Sequence, residues 1–286
     1  MKKRTLAKEI TFSGIGVHTG QKVFLRLKPS FSGRIIFRRL DLGSKEIELD
    51  HRLARAESSS LLKNKSITVR TIEHLLATLY VFGLDSLEIE LDGEEIPIGD
   101  GSAKPFVELI KSAGQVCLAE EKRIIKVKRP VKVEKNGSWI CFLPEPDLKI
   151  NYTIEYSHPL IGRQQFQTYL DLKKFVEEIA PARTFGFLRD VPSMLTKGLA
   201  KGGSFDNALI LDDQGLINPP LRFPDEFIRH KVLDLLGDLA LAGKPLLGLV
   251  EVYRGGHSLH QAGLVALLED EANWEEEVKL TPSFLV

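Results

Sequence analysis

Ala119-Glu120-Glu121-Lys122-Arg123 divides the chain into two stretches in which the same order of elements occurs, and that recurrence decides the fold class. Upstream, Glu9-Ile10-Thr11-Phe12 and Lys22-Val23-Phe24-Leu25-Arg26-Leu27 alternate apolar and polar residues, separated by Thr19-Gly20. Gly33-Arg34-Ile35-Ile36-Phe37-Arg38 follows as a third strand candidate. A helix is predicted over 71–82, with Thr71 as N-cap and Ile72, Leu75, Leu76, Leu79 and Phe82 on one face. Gly83 stands where a glycine C-terminal cap belongs. Leu87-Glu88-Ile89-Glu90-Leu91 returns to strand alternation and ends in the turn pair Asp92-Gly93, and a helix over about 103–113 precedes Gly114.

Downstream of the charged stretch, which reads as a linker, strands are predicted over 124–127, 139–143 and 148–156, then a helix over 172–179. A long helix over 225–242 is closed by Gly243 and followed by a strand over 246–253 and a helix over 258–268. Strands first and helices after, twice, predict an α+β fold of two similar domains. The boundaries are 1–120 and 123–273, and 274–286 reads as a loosely ordered tail.

The length of 286 residues is enough for two cores, and 43% hydrophobic with 27% charged residues is a globular composition. Lys plus Arg and Asp plus Glu each total 39, so the basic excess of a nucleic-acid binder is missing. Met1-Lys2-Lys3-Arg4-Thr5 leads into alternation rather than the apolar run of a secretory signal. No stretch has the length of a membrane helix; even 246–252 is interrupted by Gly248. Cys117 and Cys141 form neither a disulfide framework nor a cysteine metal site, and read as two buried thiols in a reducing compartment. A cytoplasmic location is expected.

The long helix carries the sharpest chemical signal. His230 and Asp234 are four apart and so lie on one face; Asp238 continues the row, beside the small Gly237. An imidazole and a carboxylate at this spacing can share a zinc ion, although a solvated face with a His–Asp hydrogen bond reads the same way. At the start of the 71–82 helix, His74 offers a third ligand and Glu73 a base. A catalytic zinc commonly has three protein ligands plus a water that a neighbouring carboxylate can deprotonate. By itself Glu73 is an ordinary first-turn acid favoured by the helix dipole. His257, after Arg254-Gly255-Gly256 at a strand end, is placed to protonate a leaving amine, or simply follows a tight connection. Gly198-Leu199-Ala200-Lys201-Gly202-Gly203-Ser204 lacks the spacing of a phosphate loop.

Seven blocks, in order and over nearly the whole chain, give a more specific reading. They are Gly14-Ile15-Gly16-Val17-His18-Thr19-Gly20, Thr71-Ile72-Glu73-His74-Leu75, Glu95-Ile96-Pro97-Ile98-Gly99-Asp100-Gly101-Ser102-Ala103 and Ala182-Arg183-Thr184-Phe185-Gly186-Phe187. Gly202-Gly203-Ser204-Phe205-Asp206-Asn207, Arg229-His230-Lys231 through Gly237-Asp238, and Gly255-Gly256-His257-Ser258-Leu259 complete them. Together they resemble the UDP-3-O-acyl-N-acetylglucosamine deacetylase family, zinc enzymes of the committed step of lipid A synthesis in Gram-negative bacteria.

The resemblance implies hydrolysis of the N-acetyl group of UDP-3-O-(3-hydroxyacyl)-N-acetylglucosamine, releasing acetate and the free amine. It implies Zn²⁺ on His74, His230 and Asp234, Glu73 as general base and His257 as general acid oriented by Asp238. Thr184 would hydrogen-bond the oxyanion, assisted by Lys231. Glu73 and His257 then need opposite protonation states, which predicts a bell-shaped pH dependence. The family fold implied is two α+β domains with helices sandwiched between the sheets and the active site at their interface. An insert over about 182–211 would form an apolar acyl passage lined by Phe187, Val191, Leu195, Leu199 and Phe205. Phe185, Ser204 and Tyr156 are further substrate contacts, with Lys231 near the diphosphate. The expected partner is the UDP-sugar acyl substrate alone, bound by a monomer, with no nucleic acid and no integral membrane segment. Ser58, Ser60, Ser157 and His260 depart from residues that relatives carry.

Two other readings compete. Another zinc amidohydrolase could use the same ligands, though the absence of H-E-x-x-H weakens a peptidase. A binding protein with a structural metal would need the ligands but not Glu73, Asp238 and His257.

Overall fold

The computed structural model describes residues 1–218 and 220–278. In the N-terminal half, five strands lie in the order Ile10–Ile15, Lys22–Pro29, Leu87–Leu91, Ile35–Arg39, Lys45–Glu48. All pairings are antiparallel except Leu87–Leu91 with Ile35–Arg39, which run parallel. Alternation sets the inner face: Val23, Leu25 and Leu27 are buried while their neighbours are not. A three-stranded sheet, Ala54–Ala56, Ser60–Lys63 and Thr68–Arg70, leads into the helix Glu73–Phe82.

The C-terminal half repeats the plan around Leu246–Tyr253. This strand pairs antiparallel with Ser138–Leu143 and parallel with Leu148–Glu155 and Ile124–Val127. Val131–Lys135, Arg163–Tyr169 and Trp274–Glu277 complete a seven-stranded sheet. Leu246–Tyr253 is the counterpart of Leu87–Leu91. Each follows a helix packed at the middle of the molecule and precedes a further helix, Lys104–Ala113 or His257–Glu269; Leu87–Leu91 runs parallel to one earlier strand and Leu246–Tyr253 to two. The fold is α+β with two similar halves, as the sequence predicts, and the helices lie between the sheets.

The helices Glu73–Phe82 and Glu226–Leu239 pack on each other at the join. Every residue of the first is buried, and of the second only Arg229 and Lys231 are part-exposed. Leu75, Leu76 and Leu79 each contribute about 1.5–3 kcal/mol by burial. Gly83 and Gly243 end their helical segments in the left-handed conformation, as expected.

Several elements differ from the sequence reading. Residues 119–121 are not a free linker: they belong to the strand Gln115–Glu121, paired with Lys2–Leu6. Lys122 is buried, bonded to Asp85 at 2.8 Å and the Gly83 carbonyl at 2.7 Å, because an ammonium needs such partners away from water. Residues 274–277 are not tail but the edge strand Trp274–Glu277, antiparallel to Ile124–Val127. Its run of Glu is held by Lys126, Lys128, Arg123 and Lys244. Of the expected tail, residues 279–286 lie outside the described residues. Cys117 is exposed and Cys141 half-buried, so neither is the buried thiol expected; Cys117 sits on the solvent face of a two-stranded ribbon. The helix expected over 172–179 is one turn, Leu172–Lys174, continuing as a wide π turn over Phe175–Ile179.

Candidate active site

The start of the Glu73–Phe82 helix meets the middle of Glu226–Leu239, and the polar row read from the sequence faces that meeting point. His74 Nε2 and His230 Nε2 lie 3.8 and 3.3 Å from Asp234 Oδ1, with the imidazoles perpendicular and their centroids 5.0 Å apart. One ligand atom from each of the three residues falls within 4.8 Å of the others.

The surroundings keep both imidazoles neutral and the carboxylate charged. Burial, aided by His230, lowers the His74 pKa to about 3. Burial also lowers that of His230, whose Nδ1–H donates to the Ala182 carbonyl at 3.0 Å and so leaves Nε2 a lone pair. Burial alone would raise Asp234, but Lys231, donating from 2.6 Å, and the histidines hold it far below the usual carboxylate range. His74 Nδ1 is buried without a hydrogen-bond partner among the described residues. Two neutral imidazoles and an ionised carboxylate, converging and facing a cavity, fit a divalent cation of zinc's ligand preference.

A second group stands beside the triad. Glu73 is buried, accepts from the Ser60 amide at 3.1 Å, and has Oε1 3.8 Å from His257 Nε2. Burial raises its pKa to about 7 against the opposing charge of His257. His257 donates from Nδ1 to Asp238 Oδ2 at 2.8 Å. Burial would lower its pKa, but Asp238 and Asp234 prevail and raise it to about 9. Asp238 is buried and saturated: His260 Nδ1 also bonds Oδ2 at 2.8 Å, and the Ser60 hydroxyl bonds Oδ1. Tyr152 completes the set at 2.8 Å from His260 Nε2, and Gln261 donates to Ser60 Oγ. These partners of Asp238 escaped the sequence reading, in which Ser60 and His260 stood only as departures; the i, i+3 step from His257 to His260 is a signal for His260 alone, and none points to Ser60.

A cavity of about 610 Å³ opens over both groups. Among its lining residues are Glu73, His74, His230, Asp234 and His257, with Lys231 and Thr184, and the expected contacts Tyr156, Phe185, Phe187, Val191, Ser204 and Phe205. Leu195 and Leu199 do not line it, contrary to expectation. Within the helix Val191–Thr196 the residues one turn apart that face inward are Val191 and Met194. Leu195, one step further round, is 48% exposed. Met194, Ile98 and Ile210 line the wall unforeseen. The wall itself is the expected insert: Phe185–Phe187 pairs parallel with Leu209–Leu211, with the short helix between them. At the N-terminal edge Thr71 is no N-cap. Its φ is +54°, Ile72 takes the cap position, and its hydroxyl donates to buried Glu95 at 2.7 Å. Glu95 also accepts from the amides of His18 and Thr19, which ties the glycine-rich 14–20 loop to the cavity rim.

A buried carboxylate and an imidazole beside a buried triad of ligand residues, set under an apolar chamber, are the parts of a metal-dependent hydrolase. Comparison with known proteins narrows the class. The chain belongs to the UDP-3-O-acyl N-acetylglycosamine deacetylase family, whose description matches residues 3–269. Among its relatives, the UDP-3-O-acyl-N-acetylglucosamine deacetylase of Neisseria meningitidis is 41% identical over 284 residues, covering 96% of this chain and 92% of the relative. That of Campylobacter fetus is 41% identical over 277 residues (96% and 94%), and that of Geotalea uraniireducens 39% over 285 (98% and 92%).

Proposed function

We propose that the protein hydrolyses the N-acetyl group of UDP-3-O-(3-hydroxyacyl)-N-acetylglucosamine, giving acetate and the free amine, the committed step of lipid A synthesis. The observation that carries this reading is the separation of 3.8 Å between Glu73 Oε1 and His257 Nε2 beside the triad, an acid–base pair that a structural metal site does not need. His74, His230 and Asp234 would hold the ion, zinc by its donor set, and the chemistry it supplies when bound is carbonyl polarisation and acidification of water.

The residues of the chain supply the rest. Glu73 takes the proton of the attacking water, and Thr184 donates a hydrogen bond to the acetamide oxygen as negative charge develops. Lys231, cationic because Asp234 outweighs its burial, adds positive charge on the same side. His257, held in place by Asp238, passes a proton to the departing sugar nitrogen as the C–N bond breaks. Phe185, Phe187, Val191, Met194 and Phe205 give the acyl chain an apolar wall, and Tyr156 with Lys231 borders the sugar and diphosphate.

Among the described residues no helix is long and apolar enough to cross a membrane. The reading puts the enzyme in the cytoplasm as a monomer, with the site at the interface of an N-terminal domain (1–120) and a C-terminal domain (123–273, extended here by the strand to 277). Mass spectrometry of the reaction with UDP-3-O-(3-hydroxyacyl)-N-acetylglucosamine tests it: loss of one acetyl group per substrate is expected. An intact substrate alongside cleavage of acetylated peptides would establish the other amidohydrolase instead.

A further inference from the structure

The first turn of the Glu226–Leu239 helix bears a carboxylate that the chemistry above does not use. Glu226 is fully buried, and the four hydrogen bonds its oxygens accept all come from outside its own helix. Oε1 accepts from the Arg183 amide at 3.0 Å and from Arg183 Nε at 2.8 Å. Oε2 accepts from Arg183 Nη2 at 3.1 Å and from the Arg222 amide.

Arg183 stands between two residues of the site. On one side, the Ala182 carbonyl receives His230 Nδ1–H at 3.0 Å. On the other, Thr184 lines the cavity, its amide held by the Gly101 carbonyl at 2.7 Å. Arg222 holds the Pro181 carbonyl through Nη1 and extends the clasp to the N-terminal half through Nη2 to Asp100 Oδ2, both at 2.8 Å. Next to Asp100, Gly101 has φ +85° and no room for a side chain, since a Cβ there would lie 2.2 Å from the Asn207 carbonyl oxygen. A first-turn carboxylate left in water would gain from the helix dipole at little cost. Burying it is costly unless every oxygen is paired, and such pairs are better suited to fixing geometry than to adding stability.

We propose that Glu226 and Arg183 are positioning residues for the reaction. Their ion pair ties the helix that carries His230 and Asp234 to the segment 182–184, setting the tilt of the His230 ring through the Ala182 carbonyl and the place of the Thr184 hydroxyl. The proposal rests on the deacetylase reading of the site, and its test includes a readout independent of that reading.

The test uses Glu226→Gln, which keeps the shape and removes the charge, with zinc affinity measured by chelator competition and kcat and KM by acetate release. Zinc affinity and kcat are expected to fall about 10- to 100-fold, the usual effect of losing a partner that orients a ligand, with KM changed less than about twofold. Combined with Thr184→Val, the loss in kcat should be smaller than the product of the two single losses, because part of the Glu226 effect acts through the Thr184 hydroxyl. A simple loss of packing would leave the two effects multiplicative, which would overturn the proposal, as would wild-type zinc affinity and kcat in Glu226→Gln. If that variant does not fold, Arg183→Lys keeps the charge but loses the fork; a partial loss of both quantities supports the proposal and unchanged values overturn it. A wild-type protein that binds zinc and releases no acetate would defeat the deacetylase reading, while the zinc titration would still decide the role of the clasp.

Discussion

Gly237 lies directly against the backbone of Glu73: a Cβ at position 237 would be 2.2 Å from the Glu73 carbonyl oxygen and 2.7 Å from its Cα. The missing side chain lets the start of one helix sink between Asp234 and Asp238 of the other. That approach brings His74 to Asp234 and Glu73 to His257, so the spacing of the whole site depends on it.

Gly237→Ala is therefore expected to force the helices apart. Overpacking of this kind costs about 1–3 kcal/mol, and backbone is less yielding than a side chain. Denaturant unfolding and zinc affinity should both show a loss. A variant with wild-type stability and metal binding would show that the close contact does not matter.

Glu73→Gln should retain zinc affinity and fold while kcat falls by about 10²- to 10⁴-fold, the range for a lost general base. Chelator competition and acetate release measure the two effects separately. Unchanged turnover would remove Glu73 from the mechanism.

The rate should be bell-shaped in pH. Glu73 must be ionised, so activity rises as pH passes its pKa of about 7; His257 must be protonated, so activity falls as pH passes its pKa of about 9. A cation in the triad moves both values down, because it favours the deprotonated form of each group. Asp238→Asn removes the charge that holds His257 up, so the alkaline limb should move to lower pH. A kcat/KM profile without two limbs, or an alkaline limb that Asp238→Asn leaves in place, would count against the pair.

Met194→Trp should lower kcat/KM for a long-acyl substrate by about tenfold or more, since filling an apolar passage costs on the order of 1–3 kcal/mol. Leu195→Trp, on the exposed side of the same short helix, should change it little. Equal effects at both positions would mean that the helix presents a different face to the chain.

These two neighbours show where the sequence is readable and where it is not. Long helices with strong periodicity are legible: the Glu226–Leu239 helix follows from its apolar pattern, and the His230–Asp234–Asp238 row from the pitch alone. A helix of six residues, such as Val191–Thr196, is too short for periodicity to define its inward face, so Leu195 and Met194 could not be told apart. Thr71 has an N-cap residue type, but its side chain is drawn to Glu95, which is distant in sequence. Lys122 and Trp274–Glu277 look solvated because their partners, Asp85 and the Lys126 strand, lie far along the chain. The same holds for the partners of Asp238: Ser60 and His260 reach it from separate elements, and only the assembled fold brings them together.

The most direct test of metal-dependent deacetylation is acetate release from UDP-3-O-(3-hydroxyacyl)-N-acetylglucosamine before chelation, after chelation, and after zinc is restored. Release is expected to disappear with the metal and return with it, and not to return in a His230→Ala protein. Release that persists in a fully metal-free protein, or none from a folded and zinc-loaded one, would contradict the assignment.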